Sequence, residues 1–404
     1  MGATPLPGDS AECKAPGSVA GVDSNPAPGP TPAAERLAQR GGLVELLRAP
    51  AALFALLSTL RRRAYDGGLL PSARLAVPVI SVGNLTAGGT GKTPFVALLV
   101  AELRRRGLRP GVLSRGYHAD SAAKGKGADS SPGSDEARML ASQLGACEHV
   151  EDPDRIRGGQ RLVEAGVDVI VLDDGFQHRR LTRDLDIVLM DATRPFGLPA
   201  PPEGGAAVRA FLPRGLLREG LAALARAQAV VLTRTDQAGE AALEELRAMV
   251  GRAAPGMAIM LGEHRPVALV APAASKGGAS GQGDSRRLTL ETLPGVEVDL
   301  VSAIGNPQAF EATVRGLGAR VCDHRRFQDH HAYKPGDLVG LGQERPLLTT
   351  AKDRVKLPPE APVHVLEVEF SLTAGMPVLA ALLDSLPPSE ARAQRAALHE
   401  GLHG

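Results

Sequence analysis

The sequence predicts an α/β fold in which a parallel sheet is covered by helices on both faces. Three observations predict it. Short unbroken runs of Val, Ile and Leu recur at Val77–Val82, Val167–Leu172, Ile187–Met190 and Val230–Thr233, and such runs suit strands buried on both sides. Helical stretches near Pro94–Arg106 and Glu136–Leu144 separate them, as parallel crossovers require. One strand-to-helix junction is rich in Gly and ends in Gly-Lys-Thr, the composition of an anion-binding turn at a helix start.

Taken in chain order, residues 1–34 are Ala, Pro, Gly and Ser with almost nothing large and apolar, so they read as a disordered tail that cannot offset the entropy of ordering. They lack the basic start and apolar core of a secretory signal. Residues 35–70 hold a strongly apolar segment, Leu43 to Leu60, closed by Arg61, Arg62 and Arg63 and interrupted by Glu45, Arg48 and Pro50. Its unbroken part is about a dozen residues, short of the roughly 20 needed to span a bilayer. It reads either as core-packing helices or as an interfacial segment with its arginines at anionic headgroups. Residues 71–240 carry the strand and helix alternation, including Gly111–Ser114. A second, smaller α/β lobe is expected over 241–385, from Val298–Ile304, a helix near Gln308–Leu317, Pro346–Thr350 and Val363–Val368, with a tail at 386–404. Asp120–Gly133 and Ala271–Arg287 read as inserted surface loops.

Composition excludes some functions. With 46 Lys+Arg against 45 Asp+Glu the chain has a formal charge of +1, which removes the electrostatic signature of a dedicated nucleic-acid binder. No Trp and 3% aromatics leave little for base stacking, so no nucleic-acid partner is expected. Cys13, Cys147 and Cys322 are too few and scattered for a disulfide framework or a Cys-rich metal site, which fits a reducing compartment, by default the cytoplasm.

The chemistry concentrates in Pro78-Val-Ile-Ser-Val-Gly-Asn-Leu-Thr-Ala-Gly-Gly-Thr-Gly-Lys-Thr-Pro94, a buried strand, a Gly-rich turn and a helix start in P-loop order. In such a loop Thr86, Ala87, Gly88, Gly89, Thr90 and Gly91 curl backbone amides around phosphate oxygens. Lys92 reaches the β- and γ-phosphates and Thr93 ligates Mg²⁺. Thr86 stands where the pattern usually has its first glycine. A second strand, Val167–Leu172, runs into Asp173-Asp174, which places carboxylates at the carboxyl end of the sheet, where ligands of open α/β folds bind. They are expected to hold or orient Mg²⁺; an ordinary Asp-Gly turn would also use Asp174-Gly175.

These motifs fall in an ordered series that resembles the tetraacyldisaccharide 4'-kinase family. It runs from Gly83–Pro94 through Leu113-Ser-Arg-Gly-Tyr117, Asp135-Glu136, Asp173-Asp-Gly-Phe-Gln-His178 and Asp191-Ala-Thr-Arg-Pro-Phe-Gly197. It continues with Leu212-Pro-Arg-Gly-Leu-Leu-Arg-Glu219, Ile304-Gly-Asn-Pro307, Phe327-Gln-Asp-His-His331 and Thr350-Ala-Lys-Asp353. The resemblance implies a P-loop kinase that uses ATP and Mg²⁺ to phosphorylate the 4'-hydroxyl of a tetraacylated disaccharide 1-phosphate, giving lipid IV-A. It also implies a peripheral enzyme on the cytoplasmic face of the inner membrane, with residues 35–70 as membrane-associating helices against an anionic surface. An acceptor with four acyl chains stays in the bilayer, so the site must come to it.

From the same resemblance Asp174 and Glu219 are metal-side acids beside Asp173 and Arg218, and Asp135 is the base that accepts the hydroxyl proton, tuned by His330. From residue types alone, Asp135 is equally a helix N-cap, His330 a loop histidine, and the roles of Asp135 and Asp174 are interchangeable. Arg115, Gln177 and His178 are expected to line the acceptor or phosphate pocket. Departures from the family pattern are Ser134-Asp-Glu-Ala137 for Gly-Asp-Glu-Pro, extra residues at Pro199–Arg209, and Ala351 in Thr350-Ala-Lys-Asp353. A P-loop switch NTPase on a membrane, which hydrolyses nucleotide without a sugar-lipid acceptor, would share the loop and Asp173-Asp174 but would not need Asp135.

Overall fold

The structure is a computed structural model and describes residues 33–116, 144–145, 147–201, 203–272, 286–329, 331–358 and 360–389. Asp135 and His330 lie outside the described residues, as does the inserted stretch 120–133. The described chain forms two compact units, one of residues 37–264 with 370–389, the other of residues 33–36 with 265–369.

Helix α1 (Ala33–Ala38) starts in the smaller unit, and the larger one takes over at Leu37 with a 3-10 turn at Gly42–Leu47 and helix α2 (Arg48–Asp66). The alternation then runs β1 (Val79–Asn84), α3 (Lys92–Arg105), β2 (Pro110–Ser114), β3 (Glu148–Glu151), α4 (Arg155–Glu164), β4 (Val169–Asp173), β5 (Leu185–Asp191), β6 (Ala229–Thr233), α5 (Glu240–Ala253) and β7 (Ala258–Val270). The strand order is β7-β6-β5-β1-β4-β2-β3, parallel at every recorded pairing. Strands β1, β2, β4, β5 and β6 are buried at every position, as their unbroken apolar runs predict. Helix α3 covers the sheet with Phe95, Val96, Leu99, Val100 and Leu103, a helical spacing that keeps one stripe facing the core. The Asp154 carboxylate caps α4 by accepting from the amides of Ile156 and Arg157, satisfying donors that a helix start leaves open.

Because β1 lies between β4 and β5, Val82 pairs with Asp173 and Asn84 with Leu189. The carboxyl end of β1 therefore opens beside that of β4, the crevice where α/β folds take ligands.

The N-terminal region differs from the sequence expectation in one respect. Gly42–Asp66 is one helical run of 25 residues, long and apolar enough to cross a membrane by length and composition, yet only 6% of its apolar window is buried. Pro50 does not interrupt it, because it is the third residue of α2, where the amide it lacks would have no intrahelical acceptor. Glu45 is drawn inward by Arg214, at 2.8 Å.

The second unit takes the order β10-β9-β11-β12-β7, with β8 (Arg287–Leu288) antiparallel on β7. Its parallel strands are β9 (Glu297–Ser302), β10 (Arg320–Arg326), β11 (Leu347–Thr350) and β12 (Val363–Ala374). Helix α6 (Pro307–Gly316), capped by Asn306, follows β9, and helix α7 (Ala351–Arg354) follows β11. After β12 the chain returns to the larger unit as helix α8 (Met376–Asp384).

Candidate active site

The phosphate loop leaves β1 at Asn84 and enters α3 at Lys92. Asn84 is fully buried and its amide nitrogen bonds the Gly88 carbonyl (3.3 Å) and the Thr90 hydroxyl (3.2 Å), while the Thr233 hydroxyl donates to the Thr90 carbonyl (3.1 Å). The outer wall is the segment before Glu219. The Ala87 amide donates to the Leu216 carbonyl (2.7 Å) and the Arg218 amide to the Leu85 carbonyl (2.8 Å). Thr86 and Thr90 are buried, and Ala87, Gly88 and Gly89 form the accessible rim. Thr86 in place of glycine is accommodated, since it bridges to Leu217 as a strand residue does.

Close approach of the two motif segments depends on Gly83. A Cβ there would meet Phe176 Cβ at 2.5 Å, so any larger residue would push the Asp-Asp-Gly-Phe turn off β1. The turn itself is strained at Asp174, a non-glycine residue at φ 54°, a conformation that persists only where its surroundings hold it. Here they do. Arg218 grips the Asp174 carboxylate with two bonds of 2.8 Å, and Lys92 Nζ lies 3.3 Å from the same group. Although burial opposes ionisation, Lys92 and Arg218 hold its pKa far below the usual carboxylate range, so Asp174 is charged. Arg218 also donates to the Asn84 side-chain oxygen. Loop, acid and basic clamp are thus one network.

The neighbouring motif residues fall around it. Asp173 is buried at the end of β4. Gln177 donates to the Asn84 carbonyl at 2.9 Å. His178 lies among arginines: burial first, then Arg155, Arg180, Arg183 and Arg61, lower its pKa to about 4, so it is neutral near pH 7. Arg115 is exposed, just past β2. Glu219 is differently placed, since Arg226 binds both of its oxygens at 2.7 and 3.0 Å and stacks 3.6 Å over the Phe176 ring.

Among the described residues no group of three or more His, Cys, Asp or Glu could hold a metal ion by itself. A Mg²⁺ site completed by nucleotide needs less, one or two carboxylates besides the phosphates. Asp173 ends β4, Asp174 follows it beside Lys92, and Thr93 is the second residue of α3.

A model of the family described as tetraacyldisaccharide-1-P 4'-kinase matches residues 43–387. The chain belongs to the tetraacyldisaccharide 4'-kinase family. A tetraacyldisaccharide 4'-kinase of Anaeromyxobacter dehalogenans is 39% identical over 350 residues, covering 82% of this chain and 87% of that one. One from Syntrophus aciditrophicus is 38% identical over 324 residues, 74% and 80% of the two chains. Among solved structures, LpxK from Aquifex aeolicus in complex with ATP is similar at a TM-score of 0.62 and 29% identity, covering 85% of this chain and 98% of that one. The kinase activity and the P-loop architecture follow from the family, and the switch NTPase is not favoured.

In this kinase the structure brings together Lys92, Asp174, Gln177 and Arg218 at Asn84 and the loop that follows it, with Asp173 at the end of β4 and His178 among Arg155, Arg180, Arg183 and Arg61. Four contributors were missed. Asn84 lay in plain view as the last residue of the motif strand. Arg155, 3% exposed, donates to the Asp152 carbonyl (2.9 Å) and the Asp173 carbonyl (3.4 Å); its signal was Asp152-Pro-Asp-Arg155 at a helix start. Arg61, from α2, donates to the Gln177 carbonyl (3.2 Å), and the Ser58 hydroxyl to the Arg218 carbonyl (3.1 Å), so the apolar helix is tied to the segments that carry Gln177 and Arg218.

Proposed function

We propose that the site moves the γ-phosphoryl group of ATP to the 4'-hydroxyl of a tetraacylated glucosamine disaccharide 1-phosphate, giving lipid IV-A, at the cytoplasmic surface of the inner membrane. The observation that carries this reading is the single network of phosphate loop, Lys92, Asp174 and Arg218, tied through Ser58 and Arg61 to a helix with an unpartnered apolar face.

Phosphoryl transfer asks for in-line placement and neutralised charge more than for covalent work by the protein. The loop amides and the start of α3 cradle the β- and γ-phosphates. Lys92 neutralises the γ-phosphate, oriented by Asp174 until the nucleotide arrives. Arg218 keeps the Asp174 carboxylate ionised and aimed. Mg²⁺, when bound at Thr93, Asp174 and Asp173, supplies charge neutralisation across the phosphates. Glu219 acts at one remove, by holding Arg226 and so the Phe176 turn, and a metal-side role would use lone pairs that Arg226 leaves. His178, Gln177, Arg115 and Arg155 line the acceptor side. Asp135, assisted by His330, takes the hydroxyl proton; the family resemblance alone supports that assignment.

The exposed leucines of α2 support an interfacial position for the enzyme, with Arg61, Arg62 and Arg63 at the height of anionic headgroups. Incubation with γ-labelled ATP and the lipid acceptor in mixed micelles tests the function. Label in the lipid, dependent on Lys92 and Asp135, is the expected result. Label in inorganic phosphate alone, unaffected by Asp135→Ala, would identify a hydrolase instead.

A further inference from the structure

Packed against Gly91 of the phosphate loop is a histidine that none of the family motifs contains. His264 comes from β7, and its ring edge faces the backbone of Gly91. A Cβ built on Gly91 would stand 2.1 Å from His264 Nε2 and 2.3 Å from Cε1. Gly91 has φ 79° and ψ 30°, and it is the residue from which the chain enters α3 at Lys92. Both the conformation and the contact exclude every other residue type there.

The ring is itself held. Phe370, from β12, meets it edge to face with centroids 5.4 Å apart, and meets Phe95, three residues after Lys92, in the same way at 5.3 Å. A chain with only eight Phe has thus placed two of them under one loop. Neither nitrogen of His264 makes a hydrogen bond of normal geometry, though both are shielded from solvent. Burial, followed by the charge of Arg234, lowers its pKa to about 3 against the opposing pulls of Asp191 and of the Gly91 backbone. Arg234 is itself paired to Asp191 at 2.5 Å. What His264 offers the loop is therefore shape and neutrality, not charge.

We propose that His264 is a positioning residue for nucleotide: its imidazole edge, braced by Phe370, holds Gly91 in the left-handed conformation that aims the last loop amides and Lys92 at the phosphates. Removing the ring would leave a void next to the most permissive residue of the loop, and Gly91 would sample conformations that point its amide elsewhere. The cost falls on ATP, because Gly91 and Lys92 belong to the loop read as the nucleotide site. The inference rests on the reading of Thr86–Thr93 as a nucleotide site.

The test is titration of the full-length protein with a non-hydrolysable ATP analogue and Mg²⁺, beside steady-state KM values for ATP and lipid and the thermal midpoint. His264→Ala is expected to weaken analogue binding and raise KM for ATP about tenfold, with KM for lipid and the thermal midpoint little changed. His264→Gln, whose amide reaches as far as the Nε2 edge, should recover most of the affinity, and the shorter His264→Asn should not. If His264→Ala does not fold, Phe370→Leu, which loosens the brace, should show the same selective loss. Unchanged analogue affinity in His264→Ala, equal losses for ATP and lipid, or no recovery by His264→Gln would overturn the proposal. A wild-type protein that binds no analogue would instead sink the nucleotide reading beneath it.

Discussion

Between Val79 and Leu103 almost every large apolar side chain is buried, whereas between Leu43 and Leu60 six leucines are 50–84% exposed. Both stretches belong to the same unit and both are rich in Leu and Val. In the first, the sheet covers the apolar stripe of α3, and the strand ends are free to carry polar groups into a crevice. In the second, Ala51 is the one buried residue of α2, Val44, Leu47 and Phe54 are half-buried, and polar ties run to the rest of the unit through Glu45, Ser58 and Arg61. Apolar surface of that extent on a soluble face calls for another phase or partner. The comparison teaches that similar apolar runs serve differently according to what covers them: under the proposed function one region fixes the reacting groups and the other positions the enzyme at the membrane surface.

The contrast can be broken most sharply at Lys92. Lys92→Ala removes the cation assigned to the phosphates, and transfer should fall by about 10³-fold or more, some 4 kcal/mol of transition-state stabilisation, while sedimentation with vesicles is unchanged. Asp174→Asn leaves Arg218 and Lys92 without their counter-charge; kcat should drop by roughly 10²-fold with a smaller change in KM for ATP, read by the same label assay.

Mutation of α2 should give the converse pattern. Each exposed leucine buried in a bilayer contributes about 1.5–3 kcal/mol at most. A triple change, Leu53→Ser with Leu56→Ser and Leu60→Ser, should therefore weaken vesicle binding about 10²-fold. KM for lipid should rise, KM for ATP should not, and the fold should survive, because these positions contact little protein. A parallel loss of ATP affinity would show that the two regions are not separable.

The smallest effect is one of pH. His178 titrates near 6.5 when unfolded and at about 4 when folded. Between those values the unfolded chain binds more protons, so stability is full above pH 6.5 and declines as pH falls toward 4. His264, lowered to about 3, acts in the same direction. Thermal midpoints should drop by a few degrees across that window, and His178→Gln should flatten part of the slope.

Much of this was legible beforehand for a physical reason. Strand burial on both faces writes unbroken Val/Ile/Leu runs, and an anion cradle writes small residues before a Lys at a helix start, so β1, the loop, α3 and the Asp173-Asp174 strand end could be placed from residue order alone. The continuity of α2 could not, because whether Pro50 breaks a helix depends on its distance from the helix start. The tie of Arg226 to Phe176 was likewise invisible, since the fold brings that ring to it from 50 positions away, and Arg155 showed only as an arginine at a helix start, its reach to Asp173 being made by the fold. The left-handed Asp174 could not be foreseen either; it is held by Arg218, 44 positions along the chain.

The most direct test is a crystal of the protein soaked with a non-hydrolysable ATP analogue and Mg²⁺. The β-phosphate should sit within hydrogen-bonding distance of the amides between Gly88 and Thr93, with Lys92 turned from Asp174 onto the γ-phosphate. Analogue density elsewhere, with the loop vacant and Lys92 still on Asp174, would contradict the account.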